Sequence, residues 1–174
     1  MKCLVTGGAG FIGSNLVDHL IKLGHQVIVL DNLLTGRLSN LIQVKNKIEF
    51  VNVDLTNSKN DISQYFKNVD WVFHLAGLAD IVPSIKKPDN YFQTNVQGTL
   101  NILEQSRKAK IKKLIYAASA SCYGVPEKYP TNEESKIDPQ YPYALTKFIG
   151  EQLVIHWAKV YHMPNLSLRF FNAY

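Results

Sequence analysis

The feature that most constrains the fold is a glycine-rich turn between an apolar strand pattern and an amphipathic helix pattern near the start of the chain. Residues 3–5 are apolar, glycines follow at positions 7, 8, 10 and 13, and apolar residues then recur at helical spacing up to Leu23. A turn without Cβ atoms lets the backbone approach a pyrophosphate, and the free N–H groups of the following helix bind its charge. The pattern predicts a strand–turn–helix unit that binds a dinucleotide.

A second strand pattern over residues 26–30 runs directly into Asp31. This is close to the position at which dinucleotide-binding units carry a carboxylate that accepts hydrogen bonds from the adenosine ribose. The carboxylate favours NAD over NADP because it would repel a 2′-phosphate, although Arg37 would offset part of that repulsion. The alternative interpretation is a purely structural unit with an incidental aspartate.

Strand and helix patterns alternate along the rest of the chain. Strands are predicted over residues 48–53, 69–76, 113–118 and 166–171, and helices over 62–66, 88 to about 109, and 143 to about 162. This alternation predicts an α/β fold, a doubly wound parallel sheet of the Rossmann type with helices on both faces. Because the carboxyl ends of parallel strands meet at one edge, we expect one crevice to collect the polar residues that end them: Asp31, Asp54, His74, Ser119 and Asn172.

Composition excludes several classes of function. The chain has 174 residues, enough for one domain, and its formal charge of +5 comes from scattered lysines without a basic run interleaved with aromatics, so we expect no nucleic-acid partner. Two distant cysteines, Cys3 and Cys122, predict neither a disulfide framework nor a metal site. No signal-peptide pattern or long apolar stretch is present, so we expect no membrane association and a cytoplasmic protein with reduced thiols.

Three residues form a candidate catalytic set. Ser119 ends the fifth predicted strand, and Tyr143 and Lys147 lie four residues apart on one face of the next long helix, where Pro142 suits the first turn. A cation beside a phenol lowers its pKa from about 10, so we expect Lys147 to make Tyr143 a general base near neutral pH. The alternative is a surface lysine beside a half-buried tyrosine.

These motifs together resemble extended short-chain dehydrogenases/reductases, specifically the nucleotide-sugar epimerases and dehydratases. The resemblance covers the whole chain and rests on residues 6–13, 31–32, 54–55, 74–77, 94–99, 123–124, 143–147 and 169–172. It implies that NAD is held by Gly7, Gly10, Phe11, Ile12 and Gly13 at the pyrophosphate, by Asp31 and Asn32 at the ribose, by Asp54 and Leu55 at the adenine, and by Leu75, Ala76 and Gly77 along the channel.

The resemblance also implies roles around the reacting atoms. Ser119, Tyr143 and Lys147 are the catalytic residues, and the last two also contact the cofactor. We expect Asn172, Ser84 and Ser121 to contact the substrate, and Asn95 to anchor the long helix against the sheet.

One local difference separates the reactions of this family. Relatives that dehydrate the sugar carry an Asp-Glu pair just after the catalytic hydroxyl residue, where this chain has Ala120 and Ser121. Without a carboxylate, β-elimination lacks its acid and base. The resemblance therefore implies epimerisation of a nucleotide-activated sugar, a UDP-sugar, at C4 through a transient 4-keto sugar, with Tyr143 exchanging the C4 hydroxyl proton. A dehydratase or reductase of the same family, and a non-catalytic NAD-binding regulator, are the alternatives.

Family members continue into a smaller substrate domain. We therefore expect residues 1–174 to be the NAD-binding domain with the catalytic residues, to lack the substrate domain, and to have little or no turnover alone. The resemblance also implies a homodimer through the two long helices, residues 88–109 and 143–162.

Overall fold

A parallel sheet of six strands organises the molecule. The computed structural model describes residues 1–57, 60–126 and 128–173. Its strands are β1 Lys2–Thr6, β2 Gln26–Asp31, β3 Ile48–Asn52, β4 Trp71–His74, β5 Lys113–Ser119 and β6 Asn165–Phe170. They lie in the order β3-β2-β1-β4-β5-β6, and every neighbouring pair is parallel. The predicted doubly wound α/β fold is confirmed.

Helices connect successive strands. They are α1 Phe11–Lys22, α2 Ile81–Lys86, α3 Pro88–Phe92, α4 Gly98–Ala109 and α5 Pro142–Tyr161. Short 3₁₀ turns cover Leu38–Leu41, Ser63–Phe66 and Ala120–Tyr123. Residues 62–66, predicted as a short helix, thus form a 3₁₀ turn, while α2 had no clear sequence signal.

The two faces of the sheet carry separate apolar clusters. On one face, α1 packs Val17 and Leu20 against Val5 and Val29 of the central strands. On the other face, α4 and α5 cover the sheet with a cluster that includes Leu4, Leu30, Ile102, Leu103, Leu114 and Val154. Because β1 and β2 are covered on both sides, their sequences are almost continuously apolar rather than alternating.

The helix predicted over residues 88–109 is confirmed in its bounds, but it contains a wider turn in its middle. A π-helical segment, Gln93–Gln97, separates α3 from α4. Asn95 lies inside this wider turn, 1% exposed, and its amide bonds to the backbone of Leu78 and the hydroxyl of Thr146. Such local widening is frequent at functional sites, and here it carries a polar side chain that a regular helical pattern does not reveal.

Two structural observations concern the cysteines and the apolar character of the helices. Cys3 and Cys122 are both buried and free. Within residues 1–57, 60–126 and 128–173, none of the helices combines the length and the apolar character needed to span a lipid bilayer.

Candidate active site

The glycine-rich turn lies where the strand order reverses, between β1 and β4. Gly7 follows β1 with φ +68°, and a Cβ atom there would lie 2.7 Å from the backbone nitrogen of Ala76 in the loop after β4. A Cβ atom at Gly13 would overlap the carbonyl oxygen of Gly7. Only glycine satisfies both the left-handed backbone and the close approach. The turn therefore packs directly against the loop after β4, and the first residues of α1 face the resulting crevice.

Asp31 at the end of β2 holds this turn in place. Its side chain is buried, one carboxylate oxygen accepts the N–H of Ala9 at 2.9 Å, and the other accepts the N–H of Leu33 at 2.8 Å. Each oxygen retains a second lone pair. Asp31 thus orders the glycine-rich turn and can still accept a hydrogen bond from a ribose hydroxyl. The Ala9 contact joins residues 22 positions apart, which the sequence pattern does not indicate.

A cavity of about 360 Å³ opens beside the turn and Asp31. Its lining includes all twelve residues predicted to hold NAD apart from the catalytic pair: Gly7, Gly10, Phe11, Ile12, Gly13, Asp31, Asn32, Asp54, Leu55, Leu75, Ala76 and Gly77. The cavity joins glycine backbone and the N-terminal turn of α1, which suit phosphates, to a carboxylate, which suits a ribose. The residues present therefore fit a nicotinamide dinucleotide.

A second cavity, of about 480 Å³, shares lining residues with the first and reaches the candidate catalytic set. It is lined by Ser119, Tyr143, Lys147 and Asn172, among others. A third cavity, of about 410 Å³, shares Ser119, Tyr143 and Asn172 and adds Ser121. The three cavities form one trough along the carboxyl edge of the sheet, so the structure brings these predicted residues together.

Ser84, predicted to contact the substrate, lies away from the trough. Its side chain in α2 is fully buried, and its hydroxyl donates to the carbonyl of Ile81 at 2.6 Å. It lines none of the three cavities. The geometry gives it a structural hydrogen bond and no access to a substrate in the trough.

Tyr143 and Ser119 are hydrogen-bonded across the second cavity. The Tyr143 hydroxyl, in the first turn of α5, donates to the Ser119 oxygen at the end of β5 over 3.2 Å. Lys147 lies one helical turn further, 6% exposed, with its ammonium 4.5 Å from the ring centroid of Tyr116. The predicted set is thus assembled, with Lys147 held over the aromatic face of Tyr116.

The pKa of Tyr143 is raised, whereas the sequence predicted that it would be lowered. Burial of the phenol raises its pKa, the hydrogen bond with Ser119 lowers it, and the nearby Tyr141 and Asp80 raise it further. Lys147 is not among the groups that shift it. The prediction that Lys147 lowers this pKa is therefore wrong for the geometry described, in which burial of the phenol has the largest effect. Tyr143 is a protonated hydrogen-bond donor at neutral pH.

Burial also sets the charge of Lys147. Desolvation lowers the pKa of its ammonium to about 8. Within the part of the chain that the structure describes, no carboxylate pairs with this ammonium. Lys147 is therefore an unpaired cation at neutral pH, available to a hydroxyl group in the trough.

His74, expected in the crevice at the end of β4, is a core residue. Its side chain is 1% exposed, and its ring nitrogens contact the hydroxyls of Thr6 at 2.7 Å and Thr99 at 2.9 Å. Burial lowers its pKa to about 3, with a further contribution from the charge of Lys147. The imidazole is thus neutral and joins β1, β4 and α4, which corrects the prediction that it faces the crevice.

A buried ion pair that the sequence did not indicate supports the wall of the third cavity. Glu151 of α5 accepts the Nε hydrogen of Arg169 of β6 at 3.0 Å, and Arg169 also donates to the hydroxyl of Tyr123 at 2.6 Å. Arg169 further donates to the carbonyl of Glu133 in the loop before α5. The partners lie 18, 46 and 36 residues from Arg169 in sequence, so no local spacing reveals them.

The chain matches a known protein family and is similar to curated proteins and solved structures. The model of the NAD dependent epimerase/dehydratase family matches residues 3–174. A putative UDP-glucose 4-epimerase from Methanocaldococcus jannaschii is 41% identical over 172 residues, which is 98% of this chain and 55% of that protein.

Two solved structures share the fold over the whole chain. The UDP-glucose 4-epimerase of Thermotoga maritima, solved with UDP-glucose, has a TM-score of 0.94 at 35% identity, covering 100% of this chain and 56% of its own. A UDP-N-acetylglucosamine 4-epimerase from Methanobrevibacter ruminantium, solved with UDP-N-acetylmuramic acid, has a TM-score of 0.93 at 34% identity, covering 98% and 55%. The chain therefore spans about half the length of the relatives that it matches.

Proposed function

Because the chain belongs to the NAD dependent epimerase/dehydratase family, we propose that it supplies the NAD-binding and catalytic residues of an enzyme that inverts C4 of a UDP-sugar. One observation carries the proposal. The hydrogen-bonded pair Tyr143 and Ser119, with Lys147 one turn away, lies in the same trough as the cavity lined by the twelve predicted NAD-binding residues.

Tyr143, Ser119 and Lys147 each have a separate chemical role. Bound NAD supplies reversible oxidation of a carbon that carries a hydroxyl group. Once its own proton has left, Tyr143 takes the proton of that hydroxyl as a phenolate when C4 is oxidised, and returns it when the opposite epimer forms. Ser119 holds the Tyr143 hydroxyl at 3.2 Å, and the ammonium of Lys147 stabilises negative charge that develops on the substrate oxygen. Because the cofactor ends in its starting state, the reaction needs no second redox partner.

Epimerisation is favoured over dehydration by the lining of the trough. Ala120 and Ser121 follow the catalytic hydroxyl residue, and among the described residues no carboxylate lines the second or third cavity. Elimination of water from the sugar needs a positioned acid and base, and the carboxyl groups that supply them in dehydrating relatives have no counterpart here.

The test is an activity assay of the complete protein that contains this chain. It is incubated with NAD and a panel of UDP-, GDP- and dTDP-sugars, and the products are resolved by ion-pair chromatography and NMR. We expect C4 epimers of a UDP-sugar to interconvert without net NADH. A Tyr143→Phe variant should lose about 10²–10⁴-fold in kcat while its Kd for NAD changes by no more than about twofold. Tyr161→Phe, at the far end of α5, is the matched control.

The other outcomes each select a different function. Full epimerase activity in Tyr143→Phe contradicts the catalytic assignment. Net consumption of NADPH indicates a reductase, and a 4-keto-6-deoxy product indicates a dehydratase. NAD binding without turnover of any sugar indicates the non-catalytic regulator. The prediction that residues 1–174 alone have little turnover is tested by the same assay on that polypeptide.

A homodimer through the helices 88–109 and 143–162 is part of the proposal. Apolar side chains on α3 and α5, Phe92, Leu145 and Ile155, are 43–48% exposed and suit a helix-to-helix contact. Sedimentation should give a dimer that Ile155→Lys disrupts and that Val125→Lys, on an exposed loop, leaves intact. A monomeric complete protein contradicts this part. We also propose a cytoplasmic location, in which the buried thiols of Cys3 and Cys122 stay reduced.

A further inference from the structure

Three hydroxyl groups form a continuous hydrogen-bonded chain that begins at Tyr143. Tyr143 donates to the Ser119 oxygen at 3.2 Å, and the Ser119 and Ser121 oxygens lie 2.8 Å apart. The backbone N–H of Ser121 also donates to the Ser119 oxygen at 3.2 Å. The 3₁₀ turn Ala120–Tyr123 produces this arrangement, because it folds Ser121 back over the end of β5.

Counting donors and acceptors fixes the direction of this chain. A serine oxygen has two lone pairs and one hydrogen. Ser119 already accepts from Tyr143 and from the Ser121 backbone, so both of its lone pairs are in use. The hydrogen in its contact with Ser121 must therefore be its own. Tyr143 donates to Ser119, and Ser119 donates to Ser121, which lines the third cavity at the end of the chain.

We propose that Ser121 is a positioning residue that acts on Tyr143 through Ser119. Its hydroxyl completes a route by which the proton of Tyr143 reaches solvent, and it then donates a hydrogen bond to Ser119. The proposal rests on the proposed function insofar as it concerns turnover. It differs from the sequence prediction for Ser121, which was a direct contact with the substrate. It also gives a role to the hydroxyl at the position where dehydrating relatives carry a carboxyl group.

The proton transfer balances with solvent water as the only other reactant. The O–H bond of Tyr143 breaks as one forms on Ser119, the original Ser119 hydrogen passes to Ser121, and the original Ser121 hydrogen passes to a water molecule in the third cavity. The products are a phenolate and a hydronium ion. The hydrogen bonds have then reversed direction, so that Ser121 donates to Ser119 and Ser119 donates to the phenolate. Each of these hydrogen bonds strengthens the other.

The ionisable groups around the phenol do not provide another route for the proton of Tyr143. They are Tyr141 and Lys147 of the same helical segment, Tyr91 of α3, Asp80 before α2, and Tyr116 of β5. Tyr91 and Tyr141 contact Tyr143 through their rings, with centroids 6.4 and 6.3 Å from that of Tyr143. Among the described residues, the Tyr143 hydroxyl donates to Ser119 and to no carboxylate.

The experiment compares Ser121→Ala with Ser121→Thr in the complete protein saturated with NAD. Ser121→Ala removes the hydroxyl, whereas Ser121→Thr retains it. Ser106→Ala is the matched control, because it removes a buried serine hydroxyl on α4 that has no hydrogen-bond partner among the residues that the structure describes. The protein carries tyrosine labelled with ¹³C at Cζ, and Tyr143→Phe identifies the signal of Tyr143 in a pH titration.

We expect Ser121→Ala to raise the pKa of Tyr143 by about one unit, and the acid limb of the kcat/KM profile to shift by the same amount. At the acid side this is about a tenfold loss of kcat/KM, with the Kd for NAD unchanged. Ser121→Thr and Ser106→Ala should both follow the unmodified protein.

Two results overturn the proposal. One is a Tyr143 pKa that is the same in Ser121→Ala as in the unmodified protein. The other is a Tyr143 pKa that Ser121→Thr raises as much as Ser121→Ala does. The labelled titration does not depend on turnover, so it decides the role of Ser121 even if the complete protein acts on no UDP-sugar. Absence of that activity contradicts the proposed function alone.

Discussion

The side-chain amide of Asn95 donates to the hydroxyl of Thr146 over 3.0 Å and joins the two walls of the trough at a buried point. The same amide bonds to both the N–H and the carbonyl of Leu78, at 2.8 and 3.0 Å, in the loop that lines the NAD cavity. Thr146 directly precedes Lys147. The π-helical turn that holds Asn95 thus fixes the loop after β4 relative to the face of α5 that carries Tyr143 and Lys147.

The first prediction concerns this contact. Thr146→Val preserves the shape of the side chain but leaves one N–H of Asn95 without its acceptor in a buried site. We expect the free energy of unfolding to fall by about 1–3 kcal/mol, measured by urea denaturation. Thr146→Ser keeps the hydroxyl and should cost about 1 kcal/mol or less. Equal losses in the two variants would show that the hydroxyl contributes nothing.

The second prediction separates backbone strain from steric overlap at the glycine-rich turn. Gly7 and Gly24 both have a positive φ, +68° and +78°, but a Cβ atom at Gly24 meets nothing within 4 Å. Gly24→Ala should therefore cost only about 1 kcal/mol of stability. Gly7→Ala adds a contact of 2.7 Å with the backbone of Ala76, so we expect a clearly larger loss and a weakened Kd for NAD by calorimetry. Similar costs at both positions would contradict the close packing of the turn.

The third prediction follows from the buried cation at Lys147. Burial lowers its pKa to about 8 in the folded protein, against an ordinary value of 10.5, so between these values the unfolded chain binds more protons. Stability therefore rises with pH across this window, and below pH 8 the full cost of the buried charge is present. Between pH 8 and 9.5 the gain is about 1.5 kcal/mol.

Lys147→Met provides the control for that measurement. It cannot titrate, so the stability difference between the unmodified protein and this variant should change by the same amount over the window. Other groups that titrate there, including Cys3 and Cys122, cancel in the difference. A constant difference between pH 8 and 9.5, measured by urea denaturation without NAD, contradicts the shift.

The fourth prediction concerns the ion pair of Glu151 and Arg169. Their side chains are 6% and 18% exposed, so Glu151→Gln leaves a guanidinium without its buried counter-charge. We expect a loss of about 3–5 kcal/mol in the free energy of unfolding. Lys112→Gln removes the partner of Asp70 in a pair whose lysine is 74% exposed, and should cost no more than about 1 kcal/mol. Comparable losses in the two variants would show that burial does not strengthen the Glu151 pair.

The features that depend on local spacing could be predicted from the amino-acid sequence. The apolar strand, the glycine-rich turn and the helix that follows lie within the first 24 residues, so their geometry follows from neighbouring positions. The spacing of Tyr143 and Lys147 gives one helical face, because the helix repeat brings residues four apart together. The twelve residues predicted for NAD line one cavity for a similar reason, since parallel strands end at a common edge.

Which polar groups reach the trough, and in what state of protonation, depends on contacts between distant parts of the chain. His74 is neutral because it is buried, and its ring nitrogens contact Thr6 and Thr99, 68 and 25 residues away. Lys147 lies over the ring of Tyr116, and Ser84 is turned into the interior. Desolvation and hydrogen bonding depend on atoms brought together from distant parts of the chain, so spacing along the sequence predicts candidate catalytic residues but not the charge that each one carries.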